Sequence, residues 1–591
     1  MSDSAANEQA ALLVETPPTT LVGILKRLGP GLIVAGSIVG SGELIATTAT
    51  GAQAGFWLLW LILIGCVIKV FVQVELGRYT VTYGKTTMDG MSEVPGPRVP
   101  GRGNWLVWYW FIMFLASIAQ LGGIVGGVGQ ALAISVPITS AGHAYNDYVE
   151  THTEWVVAHG EWKLTQQRDD AEASERLQTK IAKLEERAAV LDQAIVDSLG
   201  RDVVIAKGTE KFAELWKSLA TPPETSLTDT PDMKKFVAAL TAKRYRELGG
   251  DPDNPSYADF VLKLGVRPSA PIDDQIWAAL VTVVTMFVLV LGRYGLIQSF
   301  STFMVAMFTL ITIANLIMLQ TEPDWGVKWT DIVNGMSFRL PPTGNAFKAL
   351  STALATFGII GVGASELVGY PYWCLEKGYA RFTGPMDSSA EWLDRAKGWM
   401  RVMRWDAWCS MVVYTFATVA FYLLGAAILG RTGLDPRGTE MIRYLSVMYD
   451  PVFGPVAQSL FLFGAFAVLY STFFVANASH ARVFSDALRV LRFARSGESW
   501  HRRRVRILSG VFPLLCLGFF LSRWDPQKLV LLSGLMQAIM LPMLAFAAVF
   551  FRYRRCAAGL RPGRAWDAFL WVSALGMAVA GISAAISKLT S

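Results

Sequence analysis

Val39-Gly40-Ser41-Gly42-Glu43-Leu44 and Val362-Gly363-Ala364-Ser365-Glu366-Leu367 are near copies of one string, each set inside a long apolar run. A carboxylate near the middle of a bilayer costs roughly 2.5–3.5 kcal/mol on insertion scales, so two at matching places need a compensating partner or a task. The glycines and serines beside each carboxylate predict a break in the helix. Unwound backbone at membrane depth is tolerated only where it is buried in protein or lines a cavity, and transporters build midplane substrate sites from such breaks. Glu43 and Glu366 are therefore the first candidate ion ligands, with Gly40, Ser41, Gly363 and Ser365 as the binding residues around them.

The sequence around these strings is that of a multispanning membrane protein. Of its 591 residues 52% are hydrophobic and only 17% charged, too little polar material to coat a soluble chain of this size. Runs of about 18 or more apolar residues predict eleven spans, near 30–52, 54–80, 105–137, 276–292, 296–319, 346–376, 403–430, 455–479, 506–522, 528–551 and 565–587. Arginines set the orientation, because positive charge in short loops favours the cytoplasm. Lys26 and Arg27, the run from Arg482 to Arg506, and the cluster Arg552, Arg554, Arg555, Arg561 and Arg564 all fall on one side. The amino terminus is thus expected in the cytoplasm of a cell-membrane protein, and the net charge of +6 reflects topology rather than nucleic-acid binding. Residues 1–28, a cytoplasmic tail, lack the pattern of a cleaved signal peptide. Four of the five cysteines lie in spans and Cys556 in a cytoplasmic loop, so no disulfide framework is expected.

Between the membrane segments 29–137 and 276–591, residues 138–275 form a polar, charge-rich insert that the arginine rule places outside. Leu177, Ile181, Leu184, Ala188, Leu191 and Ile195 follow four- and three-residue steps, a heptad seam that predicts a helical hairpin or short coiled coil. Met233 to Leu248 is the expected partner helix, and Pro222-Pro223 and Asp251-Pro252-Asp253 mark turns. His143, His152 and His159 lack the tight spacing of a structural zinc site and are read as solvated surface. The seam offers a surface for a protein partner or for self-association.

The two Glu-bearing helices are the first and sixth spans, so each opens a set of five. Because five is odd, the second set enters the membrane from the opposite side, and the halves become inverted repeats that bring Glu43 and Glu366 towards one another near the midplane. Half-helix ends add partial charges and free carbonyls to such a site.

Gly29-Pro30-Gly31, Gly51-Ala52-Gln53, Leu58-Leu59-Trp60, Gly84-Lys85 and Gly358-Ile359-Ile360-Gly361 resemble the Nramp divalent-metal transporters across all eleven spans, though not in the insert. The resemblance implies an all-α, LeuT-type fold of two inverted five-helix repeats plus one helix, and movement of manganese, iron and related ions, commonly with protons. It implies no cofactor beyond the transported ion. The family's first unwound segment reads Asp-Pro-Gly-Asn, where this chain has Gly40, Ser41, Gly42 and Glu43. Its sixth-span Met-Pro-His aligns with Ser365, Glu366 and Leu367, so thioether and imidazole are both replaced. Oxygen ligands of this kind suit magnesium, calcium or manganese. Acidic residues on the family's proton route correspond to Gln120 and Gly123, and a metal-holding glutamine of the tenth helix to Leu535, with Gln537 two residues on.

Each feature has a plainer reading beside the functional one. Glu43 and Glu366 serve either as cargo ligands or as buried charges paired with Lys69 of the second span, and Lys69 itself is expected to neutralise or brace. Ser41 and Ser365 either donate oxygens or are small for close helix approach. Gly122, Gly123, Gly126 and Gly127 read as packing. Ser471, Thr472 and Asn477 line a path or bond between helices, and Tyr370-Pro371-Tyr372 is a gate or a kink. The sequence has no hydrolase elbow, metalloprotease helix or nucleotide loop, so an enzyme is not expected. A carrier of a divalent cation, with magnesium or manganese favoured, leads. A carrier of a small organic ion or amino acid, and a non-transporting receptor that works through the insert, are the alternatives.

Overall fold

The computed structural model describes residues 14–168, 170–197, 203–205, 266–268, 270–291, 294–342, 346–387, 389–522 and 524–590. Among them ten helices are long and apolar enough to cross a membrane, and the bent pair Pro30–Gly36 and Val39–Ala54 makes an eleventh span. The second to fifth spans are Leu59–Tyr83, Trp105–Ser135, Asp273–Leu291 and Tyr294–Met318. The sixth consists of Ala346–Ile359 and Ala364–Lys377, and Ala390–Leu424, Ala457–Val490, Glu498–Leu521, Pro526–Phe550 and Arg564–Thr590 complete the set. Two boundaries lie beyond the apolar windows. The seventh helix starts at Ala390 rather than near 403, and the eighth runs to Val490 rather than stopping at 479. Its polar end persists because Arg482 pairs with Glu376, and Arg489 with Asp89 and Asp486.

The two matching strings fold differently. Val39–Thr47 is not unwound: it forms a π-helix between the α-helices Pro30–Ile38 and Thr48–Ala54, and the span bends by 41° where it begins. Hydroxyls cap carbonyls of the widened ladder, with Thr47 Oγ1 donating to Gly42 O at 2.8 Å. The glycines serve approach rather than unwinding. A Cβ on Gly40 would stand 2.4 Å from Thr472 Oγ1, and one on Gly42 2.9 Å from Ile359 O. The sixth span is broken outright over residues 360–363, and Gly361 there has φ +59°, a conformation that side chains with a Cβ disfavour.

The first and sixth spans pack against each other on both sides of their interruptions. The third span packs against the eighth, ninth and tenth, and its glycines are packing residues: a Cβ on Gly122 would lie 2.9 Å from Cys516 O, and one on Gly123 2.5 Å from Pro526 O.

The chain divides into two compact units, Met1–Ser135 with Asp274–Ser591, and Val136–Asp273. In the second, helices Ser140–Gln166 and Ala171–Asp197 pack as a hairpin around Ala158, Ile181 and Leu184, flanked by Trp155 and Trp162. The seam's partner is therefore the preceding helix, which the polar average of 140–166 had hidden. Met233 to Leu248, Pro222-Pro223, Asp251-Pro252-Asp253 and the side chain of Ile195 lie outside the described residues. The hairpin carries His152 and His159 with Nδ1 on the carbonyls of Tyr148 and Trp155 one turn back. The two ends of the unit meet at Asp273, whose Oδ1 accepts from Ile138 N at 2.7 Å and whose Oδ2 accepts from Thr139 Oγ1 at 2.6 Å.

Candidate functional site

Glu43 is fully buried. Its Oε1 accepts from Thr418 Oγ1 of the seventh span at 3.0 Å and from Gly361 N, in the break of the sixth, at 3.2 Å. Its Oε2 has no hydrogen-bond partner among the described residues. Lys69, also fully buried, donates to Ile360 O at 2.7 Å and to Phe357 O. Those carbonyls lie in the last turn of Ala346–Ile359 and on the residue just after it, where the helix has no further N–H to offer them. An ammonium there complements the negative end of the half-helix, and it also interacts with Glu43 and Glu366 without bonding to either. Lys69 thus braces the break rather than locking onto Glu43.

A polar chain runs beside this chamber. Gln120 Nε2 donates to Ser41 Oγ at 2.8 Å, and Gln120 Oε1 accepts from Ser533 Oγ at 2.8 Å and Gln537 Nε2 at 2.9 Å. Gln537 Oε1 in turn accepts from Ser365 N at 3.1 Å, and the Ser365 and Ser117 hydroxyls are 2.9 Å apart. Four spans are thereby tied together through side chains that carry no formal charge. Gln537 faces the site, whereas Leu535 packs against a cluster of Leu354, Ala538 and Ala584.

Glu366 lies in the first turn of Ala364–Lys377, whose positive end favours a carboxylate. Gly363 leaves room for it, since a Cβ there would stand 2.5 Å from Glu366 Oε2 and 2.9 Å from Gln537 Oε1. Glu366 and Ser365 line a cavity of about 20 Å³, closed by Val34, Gly369 and Trp373 and by Val475, Ala476, Ser479 and His480 of the eighth span. Glu43 does not line it. Glu43 is instead enclosed by Thr418 and Gly361, and the charge of Lys69 acts on both carboxylates. Among the described residues, no group of three His, Cys, Asp or Glu side chains could hold a metal.

Residues 263–587 match the family model Nramp, described as natural resistance-associated macrophage protein-like. The chain belongs to the Nramp family. The divalent metal cation transporter MntH of Caldanaerobacter subterraneus subsp. tengcongensis is 29% identical over 119 residues, a match that spans 20% of this chain and 27% of that relative's length. A mutant of the manganese transporter of Eremococcus coleocola superposes with a TM-score of 0.51 at 12% identity, covering 96% of this chain and 88% of the other. That likeness supports the fold: the membrane unit of this Nramp protein is a helical, multi-pass bundle of the LeuT type.

Two residues of this Nramp site escaped the sequence reading. Asp406 of the seventh span is fully buried and accepts from Gly29 N at 2.8 Å, Gly31 N at 2.5 Å and Tyr370 OH at 3.1 Å. It caps the first span and anchors the Tyr370-Pro371-Tyr372 segment, whose other tyrosine donates to Asp486 at 2.6 Å. His480 was hidden by the boundary placed at 479. The arginines after it pull the local hydropathy down, although the helix continues.

Proposed function

We propose that this Nramp protein carries a divalent cation by alternating access, with Glu366 and Ser365 as oxygen ligands at the break of the sixth span and Glu43 as the deeper acidic site. The observation that carries this reading is the cavity beside Glu366: about 20 Å³ admits a water or a bare ion. An amino acid needs far more room, since organic ligands occupy roughly 300 Å³ or more. The Oε2 of Glu43, buried with no donor, supports a second place for a cation or proton. Gln537, Gln120 and Ser41 hold the backbone between the two in register. Carboxylate, hydroxyl and amide oxygens suit a hard ion, magnesium or manganese.

The reading extends to conformation and topology. At the ends of the first and sixth spans remote from Lys26, Thr50 Oγ1 and Thr356 Oγ1 are 2.8 Å apart, Thr352 Oγ1 donates to Gln53 at 2.7 Å, and Gln53 reaches Asp435. The cavity lies in the other half. With the arginine-rich loops in the cytoplasm and the insert outside, the outer path is shut and Glu366 faces inward. Transport needs no resident cofactor and no bond-making chemistry, so the protein acts as a carrier rather than an enzyme. The fixed ammonium of Lys69 favours a second reading, a small organic anion, which the cavity volume opposes.

Uptake into proteoliposomes across manganese, magnesium and calcium, with and without a pH gradient, tests the proposal. Saturable uptake of at least one ion, abolished in Glu366→Gln and Glu43→Gln, is expected. Undiminished uptake in Glu366→Gln, or binding of an amino acid with no divalent uptake at all, would overturn it.

A further inference from the structure

The orphan Oε2 of Glu43 and the ammonium of Lys69 have a place in the carrier reading; His480 does not yet. His480 is only 8% exposed, and its Nδ1 has no hydrogen-bond partner among the described residues. A buried polar atom left unsatisfied costs about 1–3 kcal/mol, so it persists where something else repays it. The imidazole is held edge-on to Phe114 of the third span with ring centroids 5.2 Å apart, and it lines the same small cavity as Glu366, Ser365 and Ser479. A neutral imidazole nitrogen with no donor is the form that binds a metal ion.

We propose that His480, with Glu366, forms the inner station of the cation path and makes it selective for a transition-series divalent ion such as manganese over magnesium. This rests on the divalent-carrier reading and narrows its substrate class. The Met-Pro-His positions of the sixth span hold only Ser365, Glu366 and Leu367 here, so the eighth span supplies the imidazole that lines this cavity beside Glu366. Imidazole suits transition metals, whereas magnesium keeps to oxygen and gives up its waters reluctantly. One carboxylate, one imidazole and two serine hydroxyls leave coordination positions for retained water. That is the loose holding a transit station requires, since an ion must also leave.

The test uses the purified full-length protein, with Mn2+ and Mg2+ as the only probes. Calorimetry gives both affinities, and electron spin echo spectroscopy of bound Mn2+ reports whether nitrogen is coordinated. Nitrogen modulation is expected in the wild type and lost in His480→Asn and His480→Gln. The same variants should lose about tenfold in Mn2+ affinity while Mg2+ affinity holds within about twofold. Bound Mn2+ without nitrogen modulation in the wild type overturns the inference even if neither variant folds. So does modulation that survives in both folded variants, or binding of Mg2+ alone. Failure of the wild type to bind either ion would instead overturn the carrier reading beneath it.

Discussion

Lys69 is a fully buried ammonium, and its two bonds go to carbonyls that the break in the sixth span leaves open. Replacing it by Met removes both hydrogen bonds and the positive charge that acts on Glu43 and Glu366. Removing one partner from a buried charged group costs about 3–5 kcal/mol. Lys69→Met should therefore lower the thermal midpoint in detergent strongly, and Lys69→Met/Glu43→Gln should recover part of the loss. Equal midpoints for wild type and Lys69→Met would show that the ammonium braces nothing. The acidic pair and this lysine were legible in the sequence because a charge inside an apolar run has no cheap explanation. Which carboxylate meets a cavity was not legible. That depends on Thr418 and Gly361 closing around one of them, contacts 375 and 318 residues distant in the chain. Asp406 stood inside a predicted span and drew no notice, since its partners are backbone N–H groups of another helix, which leave no mark on side-chain pattern.

The two glycine-serine strings show how little composition says about backbone state. Both were read as breaks, yet in the first the glycines admit Thr472 and the Ile359 carbonyl and the ladder survives as a π-helix, whereas in the second Gly361 turns the chain. At Gly363 a methyl group would meet the movable ends of Glu366 and Gln537 most closely, with the Gly358 carbonyl farther off at 3.2 Å. Gly363→Ala should consequently fold but displace both side chains, costing cation affinity by at least about tenfold for a shift of order 1 Å. Calorimetry on the monodisperse variant checks this, and wild-type affinity would refute it. A second prediction concerns the short helix Thr87–Glu93, which ties the second span to the tenth. Burial raises the pKa of Glu93, but hydrogen bonds from Lys85 at 2.8 Å, Arg555 at 2.7 Å and Tyr79 at 3.0 Å outweigh it and hold the carboxyl below its ordinary 4.5. A lowered folded-state pKa means stability that is complete above that ordinary value and is lost as pH falls through the folded one. With Glu93 about a quarter exposed, the loss should be near 1 kcal/mol. Thermal midpoints of wild type against Glu93→Gln from pH 6 to pH 3 should converge at the acid end. Parallel curves would remove Glu93 from the account.

The insert separates two questions that a single chain otherwise confounds, what moves through the membrane unit and what the protein meets outside it. Val136–Asp273 is a compact unit of its own, and Asp273 stitches its exit to its entry through Ile138 and Thr139. Chain ends held that close can be joined by a short linker with little loop-closure cost, because each halving of a flexible loop changes that cost by only about 0.6 kcal/mol. The heptad seam was visible in the sequence, since periodicity survives without context. The preceding helix was not, because its buried face consists of tryptophans and alanine spaced among polar residues. If the membrane unit alone is the carrier, replacing residues 140–270 by a short Gly/Ser linker should leave cation uptake in proteoliposomes within about twofold of wild type, with Glu366→Gln still abolishing it in the shortened chain. If the protein is instead a receptor that works through the hairpin, deletion removes its activity and Glu366→Gln changes nothing measurable. Folded, monodisperse material that takes up no ion after the deletion, beside wild type that does, would show that the insert belongs to the transport cycle and is not an appended module.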